Sequence, residues 1–563
     1  MKKLFQKKTY LVLVAAVGIF FLSFAPTDLF EVSKNLDIFV SLYRVLNESY
    51  VDETKPGQLM KTAIDAMLES LDPYTIYITE NDIEDYLFMT TGEYGGVGAA
   101  VTDIDGKIIV IDPYEGFSAQ RAGIRAGDEI IEVNGQSVKG KSADDVRPLL
   151  KGNTGSPLKL KVIHAGQTTG VELSLMREEI KIPSVPYSSM LNNDVGYIKL
   201  TSFTENCSVL VKDAFLKLKE KNCKSLVLDL RGNPGGLLLE AVNIVNLFVN
   251  KGNEVVYTQG KVSEWDRTYV AVNNPIDIQM PIVVLIDESS ASAAEIVAGS
   301  LQDFDRAVLI GARSFGKGLV QQNKMLLYNT QVKVTVAKYY IPSGRCVQAL
   351  DYTHKDEEGR VEKVADSLIT AFKTKGGRIV YDGAGVLPDF KTEEQKLSHV
   401  ALALLNKNHI FKYATEYVLK HEKIAPAKDF KLTEKEFDEF IMYLQDKDYS
   451  YKTDSELALD AFKKNSEQEK YYVNIKSEYE TLVNKVKTDK KDDLVKFRTE
   501  IKQFLEEEIV SRYYYQVGRI EQIVKADTDI KTAIEVLSTD GKFKSVLTTI
   551  EKPTKPFNPR KRF

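Results

Sequence analysis

The period of the apolar positions changes several times along the chain, and each change predicts a different architecture. In "VSKNLDIFVSLYRVLNESYVD", Leu36, Phe39, Leu42, Val45 and Leu46 fall three or four apart, which predicts a helix with one apolar stripe. "PGQLMKTAIDAMLESLDPYTIYIT" predicts a second helix ended at Asp72-Pro73, giving a helical region over residues 26–90. From Thr91 the texture turns to short β-branched runs broken by glycines and by Asp-Gly and Asn-Gly turns, as in "GEYGGVGAAVTDIDGKIIVIDPYEGFSAQRAGIRAGDEIIEVNGQSV". With a short helix in "ADDVRPLLKG" and strands in "PLKLKVIHAG" and "TTGVELSLMR", residues 91–178 read as a compact β module.

Over residues 179–393 strands alternate with helices. "KSLVLDL", "PIVVLID" and "RAVLIGA" are continuous apolar runs, the mark of strands buried on both faces of a largely parallel sheet. "QVKVTVAKYYI" alternates instead, with Val332, Val334 and Val336 on one face. Residues 351–377 read as a polar insertion. Residues 394–563 are highly charged with apolar spacing near 3.6, which predicts an all-helical domain. The expected fold class is multidomain α+β.

Length and charge sharpen this picture. A chain of 563 residues is too long for one core. A net charge of -5 argues against a general nucleic-acid binder, and the basic end "KPTKPFNPRKRF" reads as a solvated tail. Three cysteines cannot all pair with one another, and no CxxC occurs. "MKKLFQKK" is a basic start, followed by an apolar run shorter than the roughly 20 residues of a spanning helix. Ser23 and Ala25 are the small residues a signal peptidase reads. Residues 1–25 are therefore an export signal, or an uncleaved anchor. Either one places the rest outside the cytoplasm, in the periplasm or on the periplasmic face of the inner membrane.

The chemistry candidates sit at the ends of the apolar runs. "SAAE", Ser292 to Glu295, follows "PIVVLID" and opens a helix. Ser-x-x-Glu before an apolar helix is first of all a capping box. A serine at a strand-to-helix turn on the C-terminal edge of an α/β sheet is also placed as a nucleophile, with helix-start amides beside it to stabilise an oxyanion. Such a serine needs a base. The five histidines (His164, His354, His399, His409 and His421) all lie outside residues 190–350. Lys317, in "SFGKGLVQ", is the alternative, with Gly316 and Gly318 allowing close backbone approach and Phe315 and Leu319 as apolar neighbours. At an ordinary pKa of about 10.4 only about 1 lysine in 2,500 is neutral at pH 7, so burial must supply the shift. "LDLRGNPGG" is a second strand-to-helix loop, read either as a tight turn or as an N–H donor aimed at the same site.

"GYIKLTSF", "LVLDLRGNPGG", "SSASAAEIVAGSLQDFDRA", "SFGKGLVQ", "YYIPSGRCVQ" and "GVLPDF" occur in this order. Together they resemble the carboxyl-terminal processing (tail-specific) serine proteases, over roughly residues 35–390. The resemblance implies a crotonase-like α/β protease core with a Ser/Lys dyad. Ser292 would be the nucleophile, Lys317, 25 residues later, the general base, and Gln321, one turn on, the residue that positions the lysine. Ala293 and a glycine of the NPGG loop, Gly235 or Gly236, would form the oxyanion hole. Ser289 and Ser290 are decoys. Ala294 and Cys346 depart from the family, which often has serine at both, while Glu295 would keep its cap and also support the site. The β module is similar to the PDZ domain these proteases insert. By that likeness Gly95, Gly96, Val97 and Gly98 hold a peptide carboxylate, and Arg125 is a candidate sensor of occupancy.

The resulting expectation is an exported serine endopeptidase that captures flexible protein C-termini and cuts near them, with no metal, cofactor or nucleic acid. An inactive PDZ scaffold and a crotonase-like acyl-CoA enzyme are the alternatives. The helical tail is read as an element for packing, homo-oligomer formation or adaptor docking, and membrane association would run through the N-terminus.

Overall fold

The computed structural model describes residues 27–355, 360–365, 367–392, 396–490, 492–539, 541–549 and 552–556. The expected signal or anchor lies outside the described residues, as do parts of the 351–377 segment and the end of the basic tail. Among the described residues, no helix is long and apolar enough to cross a membrane.

The chain divides into two compact units. The smaller comprises residues up to Tyr77 together with Asn323–Val334. It holds α1 (Thr27–Ser49) and α2 (Pro56–Glu69). Both helices fall where the spacing predicts them, and the Tyr43 hydroxyl ties α1 to the Pro56 carbonyl at 2.8 Å. The apolar stripe of α1 is not a core stripe, however: Leu36, Leu42 and Val45 are all more than half exposed.

The larger unit begins at Ile78. α3 (Ile83–Thr91) leads into the β module. There β1 (Glu93–Gly96) is followed by β2 (Ala99–Ile104), β3 (Lys107–Pro113), the short α4 (Ser118–Arg121), β4 (Glu129–Val133), α5 (Ala143–Leu150), β5 (Pro157–Ile163), β6 (Val171–Met176) and β7 (Glu178–Lys181). The sheet order is β2-β3-β4-β5-β6, so β2 is an edge strand, and β1 pairs separately with β7. Its core holds Val110, Val146, Leu160 and Val162. α5 starts at Ser142, whose side chain accepts from the Asp145 N–H while Asp145 reaches back to the Ser142 N–H.

β8 (Tyr187–Met190), β9 (Val195–Lys199), β10 (Ser225–Asp229), β12 (Ile282–Ile286), β13 (Ala307–Gly311) and β16 (Phe390–Lys391) form the central sheet in that spatial order. Only the β8–β9 pair is antiparallel. The crossovers between the strands carry α6 (Cys207–Glu220), α7 (Leu238–Asn246) and α8 (Ala293–Asp303). These three helices pack with Leu226, Leu228, Val284 and Leu309 on one face of the sheet. The alternate residues Val227, Val283, Leu285, Val308 and Ile310 pack on the other face against Ile530, Ala533 and Val536. Burial on both faces is why these strands read as unbroken apolar runs.

The second covering layer comes from the far end of the chain. α9 (His399–Asn406), α10 (His409–Lys420), α11 (Glu434–Tyr443), α12 (Asp454–Gln468), α13 (Tyr472–Lys490) and the long α14 (Arg498–Ala526) build the helical region. Phe437, Phe440, Leu505 and Ile509 form the centre of its core. α15 (Thr528–Ser538), capped by Asp527, carries Ile530, Ala533 and Val536 onto the central sheet. The expected helical domain thus has a core of its own, while its α15 also covers the central sheet. The alternating strand "QVKVTVAKYYI" belongs to β15 (Gln331–Tyr340), which pairs antiparallel with β11 (Glu254–Gly260) in a separate sheet. It is not part of the parallel sheet. Within the expected polar insertion, Ala371, Phe372 and Thr374 are buried, and just after it buried Arg378 pairs with Asp305 and Asp389, so the end of this segment is part of the core's wall. In the basic tail, the Pro556 carbonyl accepts from the Ala371 N–H at 2.7 Å, so this part of the tail is docked and not merely solvated.

Candidate active site

The serine loop is stitched to its neighbours before Ser292 is reached. Ser290 is fully buried: its hydroxyl donates to the Leu230 carbonyl at 2.8 Å and accepts from the Asp287 N–H at 2.9 Å. It is a structural staple, and Ser289 is exposed. The Ala291 N–H donates to the Asn233 carbonyl at 3.0 Å, and the Gly232 N–H donates to the Asp287 carboxylate at 2.9 and 3.0 Å. These bonds hold the loops after β10 and β12 side by side.

Ser292 then adopts φ +53° and ψ −111°, a region that costs a non-glycine residue about 1–3 kcal/mol. Such strain persists only where the surroundings enforce it. Here the Ser292 carbonyl accepts from the Ile296 N–H at 2.9 Å and from the buried Tyr339 hydroxyl at 3.2 Å. Its N–H donates to Glu295 Oε2 at 2.9 Å. The hydroxyl lies near the Glu295 N–H in a capping-box arrangement but makes no bond of full capping geometry. Ala293 is the first residue of α8, where the N–H groups have no intrahelical acceptor.

Glu295 does more than the cap that its spacing predicts. It is fully buried, and four donors converge on it. Oε2 accepts from the N–H groups of both Ser292, at 2.9 Å, and Lys317, at 2.8 Å. Oε1 accepts from the Ser314 hydroxyl at 2.6 Å and the Gly316 N–H at 2.7 Å. Burial pushes the Glu295 pKa up from its ordinary value, and the converging donors work to keep the charge. One carboxylate oxygen thus joins the backbones of the two residues expected to react. The Phe315 N–H to Ser290 carbonyl bond, 3.0 Å, joins the same loops again.

Lys317 is half-buried in the loop after β13. Both flanking glycines are required. A Cβ on Gly316 would stand 2.4 Å from that of Ala349, and one on Gly318 would stand 2.8 Å from the Gln348 nitrogen. Leu319 is buried as expected, but Phe315 is 48% exposed and is no apolar wall for the lysine. Gln321 lies in β14 (Leu319–Met325), so it follows Lys317 on a strand and not by one helical turn. Its amide donates to the Thr335 hydroxyl at 3.2 Å.

The NPGG loop lies directly against the serine. A Cβ on Gly235 would be 2.7 Å from the Ala291 carbonyl oxygen, 2.8 Å from Ser292 Cβ and 3.0 Å from the Ala293 nitrogen. The Gly235 N–H is engaged by Asn233 Oδ1 at 2.9 Å. Gly236 bridges to Phe203, with the Phe203 N–H on the Gly235 carbonyl and the Leu237 N–H on the Phe203 carbonyl. Behind the loop, Arg231 pairs with Asp229 at 2.7 Å and with Asp527 and Asp529, before and within α15, at 2.8 and 3.0 Å. Burial opposes the Asp229 charge, but Arg231 and Lys199 beside it hold its pKa below the usual carboxylate range. The five histidines are bonded elsewhere: His164 to Asp128, His354 to Asp351, His399 to Asp454, His409 to the Asp448 carbonyl and His421 to the Tyr417 carbonyl.

In the β module, Val97, Gly98, Ala99 and Val101 line a cavity of about 300 Å³ between β2 and α5, together with Tyr94 and Tyr114. Gly95 and Gly96 lie just before it on β1, where Gly95 packs against the Gly152 carbonyl with no room for a Cβ. Gly98 has φ +74° and a Cβ there would meet Phe117 at 2.4 Å. Arg125 is elsewhere. It lines a second cavity, with Thr415 and Leu419 of α10 and Arg512 and Tyr515 of α14. It therefore faces the helical domain, whose contacts with the module include Gln120 to the Tyr515 hydroxyl, 3.0 Å, and Lys412 to Asp105, 2.6 Å.

Comparison with known proteins agrees with this geometry. Residues 194–355 match the model of peptidase family S41, residues 109–163 a PDZ domain, and residues 400–537 the C-terminal helical domain of probable PDZ-proteases. A carboxy-terminal-processing protease of Bartonella bacilliformis is 36% identical over 324 residues, 57% of this chain and 74% of that protein. Carboxy-terminal processing protease CtpA of Bacillus subtilis is 36% identical over 306 residues, 54% of this chain and 65% of that protein, so the chain spans slightly under two thirds of it. A solved photosystem II D1 C-terminal processing protease is 28% identical and covers 64% of this chain and 93% of its own, with a TM-score of 0.35, too low to carry an argument. With this identity across most of the Bartonella protein, and with the serine, lysine and glycine loops gathered at one sheet edge, the chain belongs to the carboxy-terminal-processing serine proteases.

Proposed function

We propose that the chain is an exported endopeptidase that binds flexible protein C-termini in the β2–α5 groove and cuts peptide bonds near those ends with a Ser292/Lys317 dyad. The observation that carries this reading is the shared Glu295 oxygen, which fixes the backbones of both residues at 2.9 and 2.8 Å beside the strained serine. Neutral Lys317 takes the hydroxyl proton as Ser292 Oγ bonds to the scissile carbonyl carbon. The Ala293 N–H and, with the Gly235 N–H committed to Asn233, the Gly236 N–H stabilise the oxyanion. The C–N bond then breaks, and Lys317 returns the proton to the leaving amine. Water then attacks the acyl carbon and gives a proton to Lys317, the bond from that carbon to Ser292 Oγ breaks to release the new carboxyl end, and Lys317 returns the proton to Oγ.

Ser292→Ala and Lys317→Ala should each abolish cleavage of an unfolded substrate with a defined C-terminal tag. Normal cleavage by either variant would end the dyad reading. Export rests on the basic and apolar start of the sequence, and fractionation that left the full chain in the cytoplasm would end that part alone.

A further inference from the structure

The peptide groove contains a feature that bears on which C-termini it takes, and the argument rests on the peptide-binding role proposed above. The Val110 N–H donates to the Asp128 carbonyl at 2.9 Å, and the Val110 carbonyl accepts from the Gly127 N–H at 2.8 Å. Both polar groups of Val110 therefore point away from β2. Val101, its antiparallel partner, is in a non-hydrogen-bonded pair, so its own N–H and C=O face the open edge. That edge is where an added peptide strand would bond.

The acceptor there is already occupied. Arg147, on α5 across the groove, donates from Nη2 to the Val101 carbonyl at 3.3 Å. Its other tie is an ion pair with Asp144, which is 85% exposed and so weakly held. The charged side chains among the described residues lining the cavity are two cations, Arg147 and Lys151, with no carboxylate. Lys151 stands over the Tyr94 ring at 5.5 Å.

Consider a peptide whose carboxylate rests on the loop amides of Val97–Ala99. Its last residue lies beside Ala99. Outward-facing bonds recur every second residue, so its third residue from the end lies beside Val101. The N–H of that residue bonds the same Val101 carbonyl, so it competes with the long 3.3 Å bond from Arg147 and loosens the guanidinium. Its side chain shares a face with the terminal side chain and meets the loosened guanidinium. A carboxylate there offers the guanidinium a charged acceptor, a neutral amide offers only a weaker one, and a cation meets two like charges. We propose that Arg147 is a specificity-determining residue, and that the groove prefers protein C-termini with Asp or Glu third from the end.

The test uses the full chain carrying Ser292→Ala, so that nothing is cut, and the fluorescence anisotropy of labelled peptides identical except for Asp, Asn or Lys third from the end. An amidated form of the Asp peptide serves as the control. The Asp peptide should bind about tenfold tighter than the Asn peptide, as expected for one charge-assisted bond, with Lys weakest. Adding Arg147→Gln should bring Asp and Asn within about twofold while the Asn peptide binds no more weakly than before, since the Val101 acceptor is then free. Arg147→Lys, which keeps the charge without the fork, should fall between, and serves if the Gln variant does not fold. Equal binding of Asp and Asn peptides, with the amidated form weaker, would overturn the role of Arg147 and leave C-terminal capture standing. So would an Asp preference that survives Arg147→Gln. Equal binding of free and amidated ends would instead overturn C-terminal capture itself.

Discussion

At the scale of single residues, the site depends on Glu295. Every hydrogen aimed at its carboxylate comes from a neighbour, so an amide in its place would turn its own N–H groups toward donors. Glu295→Gln should cost about 2–4 kcal/mol in unfolding free energy and lower the cleavage rate at least about a hundredfold. Denaturant titration and initial rates check the two effects separately, and a variant of normal rate would remove Glu295 from the account. Gly235→Ala should abolish cleavage, because its Cβ would lie 2.8 Å from Ser292 Cβ. Peptide binding in the β2–α5 groove should remain, as anisotropy would report. The placing of Ser292 at a strand-to-helix turn, with Lys317 in the following loop, was legible in the sequence because motif and spacing state it. That Glu295 supports the site as well as capping the helix was expected, but its bond to Lys317 was not legible, since it depends on how a loop 22 residues later returns to the helix. Gln321, expected one turn beyond Lys317, lies on a strand, and Phe315, expected as an apolar neighbour, is half-exposed; spacing alone states neither.

At the scale of elements, α15 is the piece whose importance the sequence concealed. Its apolar spacing is visible, but its partners lie on strands some 220–310 residues earlier, and no local pattern encodes that pairing. The buried strands were legible for the complementary reason: continuous apolar runs state that both faces are covered, though not by what. β15 shows the same limit, since its alternation marks a strand without naming its sheet. Ile530→Ala, at a fully packed position, should destabilise the protein by about 2–4 kcal/mol in urea unfolding. A change within about 0.5 kcal/mol would show that α15 is not part of the core's cover.

At the scale of the whole molecule, Asp229, Arg231, Asp527 and Asp529 tie the NPGG loop, the central sheet and the C-terminal helices together. The Asp229 pKa is held below its ordinary value of about 3.9, so its contribution is complete above that pH and is lost as pH falls toward the folded value. Melting temperature should therefore drop steeply below about pH 4. Asp229→Asn should melt lower at pH 7, with a flatter acid limb, and an unchanged acid limb would place the acid sensitivity elsewhere. The β module is bonded to the helical domain through Gln120 and Asp105, so the groove, the catalytic core and the tail share one packed unit. The most direct measurement for the whole account is mass spectrometry of the full chain after exposure to a fluorophosphonate. The account predicts one adduct, on Ser292, formed rapidly by the parent and not by Lys317→Ala. An adduct on another serine, or equally fast labelling of Ser292 without Lys317, would contradict it.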